Sequence, residues 1–113
     1  MDVEREIASF LMARTGVKTV LEVPETRPAE FLSVELTGQS GARFATRYTL
    51  AIQAWAQTRK RAAEIAHIAM NASYSADTVE NLFAPSVSNT YRFPDPDSKQ
   101  ERYQMTVEVT VCE

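Results

Sequence analysis

Near the N-terminus, Val3, Ile7, Phe10 and Leu11 recur at the spacing of one side of an amphipathic helix, which predicts a helix over residues 3 to 15. Asp2 is placed to cap it and Gly16 to end it. Glu4 and Glu6 in its first turn and Arg14 in its last complement the helix dipole. Val17 to Val23 is short and β-branched and is stopped by Pro24, which predicts a strand followed by an exposed connection, Pro24 to Pro28. From Phe31 to Thr37 the pattern alternates, Leu32, Val34 and Leu36 against Phe31, Ser33 and Glu35, and Gly38-Gln39-Ser40-Gly41 predicts a hairpin turn. The return strand, Arg43 to Trp55, sets Phe44, Thr46, Tyr48, Leu50, Ile52 and Ala54 on one face. Arg47, Thr49, Gln53 and Trp55 lie on the other. At about 13 residues it is long enough for part of it to project beyond a sheet.

Thr58 is placed to cap a second helix over residues 59 to 72, where Ala62, Ile65, Ala66, Ile68, Ala69 and Ala72 form a small, smooth apolar face. Arg59-Lys60-Arg61 in its first turn opposes the dipole. Ser73 to Asp77 reads as loop, and Thr78 to Phe83 reads equally as a helical turn or a short strand. Ser86 to Phe93 predicts a strand, and Pro94-Asp95-Pro96-Asp97-Ser98 forces a turn. In the last strand Tyr103, Met105, Val107, Val109 and Val111 alternate with Gln104, Thr106, Glu108, Thr110 and Cys112. The order is therefore α-β-β-β-α-β-β: a single α+β domain with a mainly antiparallel, four- to five-stranded sheet and two helices packed on one face.

Composition agrees with one core. The chain has 113 residues, 44% of them hydrophobic and 24% charged, enough to fold without disulfides or a structural metal. The single cysteine, Cys112, forms no internal disulfide and no cysteine-based zinc site. A net charge of −3 argues against a dedicated nucleic-acid binder. The charged start, Met1 to Glu6, does not read as a signal peptide, so no export signal is expected, and Glu64 and His67 break the most apolar stretch, Ala62 to Met70. The expectation is a soluble, cytoplasmic protein without a membrane span.

Candidate chemistry is sparse. The only histidine, His67, lies mid-helix without a metal-sharing partner and reads as structural or solvated. There is no GxSxG elbow, and the three glycines, at 16, 38 and 41, build no phosphate-cradling loop. Asp95, Asp97, Ser98 and Glu101 lack the central glycine and terminal glutamate of an EF-hand and read as a turn. No catalytic residue, metal ligand or cofactor is expected. Aromatics exceed what two small helices need to cover, and Trp55, on the more polar face of its strand, is a candidate interface anchor. Arg43 and Arg47 suit a carboxylate or phosphate on a partner.

The segment Tyr91-Arg92-Phe93-Pro94-Asp95-Pro96-Asp97-Ser98, followed by Arg102-Tyr103-Gln104-Met105-Thr106-Val107, resembles the small tail terminator proteins of long-tailed bacteriophages and prophages, also described as minor tail or tail-completion proteins. Pro28-Ala29-Glu30-Phe31-Leu32-Ser33-Val34-Glu35-Leu36-Thr37-Gly38 and Leu50-Ala51-Ile52-Gln53-Ala54-Trp55-Ala56, leading into an alanine-rich helix, follow the same family order. The resemblance implies a non-enzymatic protein that forms a ring, usually hexameric, on the head-proximal end of the tail tube. Such a ring ends tube growth and presents a joining surface to the head–tail connector. Its partners would be further copies of itself, the tube protein and the connector, with DNA passing through the lumen without sequence-specific binding. Its place would be the tail or neck of a virion assembled in the host cytoplasm. A closed ring needs two different patches that meet between neighbours. On physical grounds, the candidate subunit or tube interface is Arg43, Arg47, Trp55, Phe93, Asp95, Asp97 and Arg102. The net negative charge suits a lumen along which DNA slides. Two other readings remain: another neck or head-completion connector protein, or a small α+β ligand-binding domain with an aromatic pocket near Trp55 and Tyr103.

Overall fold

The computed structural model describes residues 1–112. Helix α1 (Val3–Thr15) starts where the Asp2 carboxylate accepts the Arg5 N–H and ends at Gly16, whose left-handed backbone (φ 74°) closes the cap onto Met12 O. A short β1 (Thr19–Val20) follows, then the long strands β2 (Phe31–Ala42) and β3 (Ala45–Ala56), helix α2 (Arg59–Ser73), a 3₁₀ turn (Ala76–Thr78), β4 (Leu82–Arg92) and β5 (Glu101–Cys112). The five strands form one sheet in the order β1-β2-β3-β5-β4, parallel only between β1 and β2. Among the described residues, no helix is long and apolar enough to cross a membrane.

Both helices cover the face that carries Leu32, Val34, Leu50, Ile52, Met105, Val107 and Val109, all fully buried. Ala62, Ala66 and Ala69 of α2 are buried against it, so the helix backbone lies close to the strands while Ile65 fills the space between. Truncating Ile65 to alanine would cost about 2–5 kcal/mol. The positive first turn of α2 is partly offset: the Arg61 guanidinium grips Glu30 at 2.6 and 3.2 Å and holds that carboxyl below its usual range.

Three expectations need correction. The strand expected over Val17 to Val23 shrinks to two residues, because the chain leaves the sheet at Leu21 on its way to Pro24. The turn expected at Gly38-Gln39-Ser40-Gly41 is strand; the hairpin turns at Arg43-Phe44, and a bulge between Leu36 and Gly38 lets β2 keep pairing with β3 to Ala42. Finally, β4 starts at Leu82, before the expected Ser86, and the bulges at Ala84 (φ 50°) and Asn89 (φ 55°) hide its period. The long β2–β3 hairpin makes the molecule elongated, 43 × 24 × 24 Å.

Candidate functional site

Strand alternation leaves the second face of the sheet without a helix. It carries Phe31, Ser33 and Glu35 of β2, Arg47, Thr49, Gln53 and Trp55 of β3, and Arg102, Gln104, Thr106, Glu108 and Thr110 of β5. A chain of side-chain hydrogen bonds crosses it. Trp55 Nε1 donates to Ser33 Oγ (3.1 Å), Ser33 to Gln53 Oε1 (3.3 Å), Gln53 to Gln104 Oε1 (2.6 Å) and Gln104 to the Tyr91 hydroxyl (2.8 Å). Four strands are thereby cross-linked through the face opposite the helices.

One end of this face is an aromatic–arginine stack. Trp55 lies parallel to Phe31 at 5.2 Å between ring centres, and the Arg27 and Arg102 guanidinium carbons sit 5.2 and 4.8 Å from the centre of its ring. Arg102 also lies 4.3 Å from the Phe93 ring centre and is locked by donating from Nε to Phe93 O (2.7 Å). The β4–β5 connection closes over this end. Asp95 accepts from Arg27 (2.8 Å), from the Ser98 hydroxyl (2.8 Å) and from the Asp97 backbone N–H (3.1 Å). Chiefly through Arg27, its carboxyl is held down at about 2. Buried Gln100 ties the same loop to Pro28 O (3.0 Å).

At the opposite end, Arg47 spans three strands, donating to Thr110 Oγ1 (2.9 Å), Ser86 Oγ (3.0 Å) and Ala84 O (2.7 Å) at the β4 bulge. Beyond it the hairpin tip presents Arg43 stacked on Phe44 (5.1 Å), and Phe44 is 70% exposed.

Of the residues singled out from the sequence, Trp55, Phe93, Asp95 and Arg102 come together at one end, with Asp97 beside them contributing its backbone N–H. Arg43 and Arg47 lie at the other; Trp55 is eight positions along β3 from Arg47, about 26 Å of strand. Trp55 is only 2% exposed, so it supports this end from beneath the guanidiniums while Phe93, at 41%, is presented outward. The aromatic pocket expected near Trp55 and Tyr103 does not form. Tyr103 is paired with Ala54 and faces the helices, opposite to Trp55. Sequence reasoning missed Arg27 and Phe31; the readable signal was that Phe31 and Trp55 share the parity of the polar positions on their strands. His67 is exposed on α2 and lies 3.2 Å from the Asn71 side chain. Among the described residues no group of histidine, cysteine or carboxylate side chains is arranged to hold a metal.

No protein-family model matches this chain, and no curated protein matches it. Among solved structures, the fold is similar to a chain described as "Virion of native gene transfer agent (GTA) particle", with a TM-score of 0.64 and 15% identity over 91% of this chain and 84% of that one. At that identity the likeness shows a shared fold and no more.

Proposed function

We propose that this chain is a non-enzymatic structural protein of a phage-like virion, a tail terminator that closes the head-proximal end of the tail tube as a ring. The observation that carries the reading is the fold likeness to the virion chain, which extends over 91% of this chain. The Phe93-Pro94-Asp95-Pro96-Asp97 loop and the Arg102-Tyr103-Gln104 strand that follows it support the narrower assignment by their resemblance to tail terminators. In this reading the elongated domain offers two separate patches of the kind a heterologous ring contact needs. One is the hairpin tip with Arg43 and Phe44; the other is the loop with Phe93, Asp95 and Asp97. Trp55 and Arg102 hold the loop patch in shape, and Arg47 braces the base of the hairpin. Partners are further copies of the chain, the tube protein and the head–tail connector, in a virion assembled in the host cytoplasm.

The test is native mass across a concentration series, with negative-stain imaging and co-sedimentation with purified tail tubes. A closed ring with a central hole, or a monomer that binds tube ends, is the expected result. A monomer that leaves purified tubes unbound overturns the assignment.

A further inference from the structure

The two edges of the sheet are treated differently. The outer edge of β4 is broken by bulges at two places, has Ala84 and Asn89 at positive φ, and includes Pro85, which has no N–H to offer. Such devices keep an edge from pairing with a foreign strand. The outer edge of β2 carries one bulge, between Leu36 and Gly38, and Gly41 at positive φ, but no proline and no other described residue at positive φ, and most of its length is uncovered. β1 covers it only to Val20 opposite Ser33, and the chain then leaves the sheet, so β2 runs on to Ala42 with its outer side open. Leu32 donates its N–H outward to Lys18 O. Counting on from Leu32 through the bulge, Leu36, Gln39 and Gly41 turn their N–H groups to the same side. The first of these is already taken by a stand-in: Glu4 of α1 reaches down and accepts the Leu36 N–H at 2.7 Å, where a neighbouring strand would offer a carbonyl.

Where β1 stops, a groove of about 500 Å³ opens beside β2 between Leu21, Glu22 and Val23 on one wall and Glu35 on the other, with Glu4 at its margin. From these observations we infer that the open edge of β2, from Leu36 to Gly41, receives an extended segment of a partner protein by strand addition, and that this segment carries lysine or arginine. Backbone hydrogen bonds supply the pairing, and the end of the segment that runs past Glu35 reaches the groove, where Glu4, Glu22 and Glu35 select basic residues whose aliphatic stems lie along Leu21 and Val23. A second copy of this chain is poorly suited as donor, because its own outer strand β4 is bulged and has Arg92 as its only charged residue. The inference does not depend on ring formation.

The probe is a labelled synthetic ten-residue peptide alternating lysine and valine, titrated into the full chain by fluorescence anisotropy, with amide hydrogen exchange read in parallel. Saturable binding is expected, with slowed exchange at Leu36, Gln39 and Gly41. The double variant Glu22→Lys/Glu35→Lys, at two exposed side chains, is expected to weaken it roughly tenfold and to accept the glutamate–valine peptide instead. N-methylation of alternate peptide amides should abolish binding. Equal binding of the lysine and glutamate peptides, full retention after N-methylation, or unchanged exchange at those three amides overturns the proposal. Concentration-dependent protection of the same amides in the protein alone would show a second copy on the edge and also overturn it.

Discussion

Asp95 shows how a residue read as turn chemistry also anchors distant chain. Its aspartate–proline setting predicts local hydrogen bonds, and these are present to Ser98 and to the Asp97 N–H. The bond to Arg27, 68 positions away, could not be read from local pattern, because Arg27 sits in a connection with no periodicity. That bond has a pH signature. The ordinary value for this carboxyl is 3.8 and the folded value about 2, so folding favours the ionised form. The resulting stabilisation is complete above the ordinary value and is lost as pH falls from about 4 to about 2. Asp95→Asn is expected to remove this contribution at neutral pH and to flatten the acid limb. Urea denaturation of both proteins between pH 6 and pH 2 checks it; parallel stability curves would show that Asp95 contributes nothing of the kind. Trp55 makes the complementary point: its place on a polar face suggested exposure, yet two arginines and Phe31 enclose it.

At the level of elements, strong periodicity and capping were sufficient for α1, α2, the paired faces of β2 and β3, and β5. What could not be read was where pairing continues through irregular backbone. Gly38-Gln39-Ser40-Gly41 has turn composition, yet both glycines serve a strand, and differently. Gly41 has φ 136°, and a Cβ there would run into the Ala45 carbonyl oxygen, whereas a Cβ at Gly38 meets open space. Opposite signs follow for the same substitution. Gly38→Ala is expected to be neutral or to stabilise by up to about 1 kcal/mol, through lost freedom in the unfolded chain. Gly41→Ala is expected to destabilise by more than about 1 kcal/mol, since the hairpin must open to admit the methyl. Chemical denaturation of the two variants distinguishes them, and equal midpoints would mean that the hairpin end adapts freely. The bulges of β4 escaped notice for a related reason: Ala84 and Asn89 at positive φ shift the alternation of Leu82, Phe83, Ser86 and Val87 out of register with a simple two-residue period.

On the scale of the whole molecule, the two ends of the open sheet face are built to different standards, and that bears on which variants can report on assembly. Arg47 was a candidate contact, but its guanidinium is occupied with Ala84, Thr110 and Ser86 of its own chain. Replacing it uncouples β3 from β4, so a loss of assembly in Arg47→Ala would report on the fold as much as on an interface. Arg43 stacks on Phe44 at the hairpin tip and both are exposed, Phe44 to 70%. They give the cleaner experiment. Arg43→Ala and Phe44→Ser are expected to leave the denaturation midpoint within about 0.5 kcal/mol of the parent, as exposed substitutions do, while lowering ring formation or tube binding by tenfold or more. Arg47→Ala is expected to lower both stability and assembly. If the tip variants assemble as the parent does, the hairpin tip is not the contact, and the patch around Phe93 and Asp95 becomes the one to alter, with Phe93→Ser sparing the Arg27–Asp95 pair beneath it.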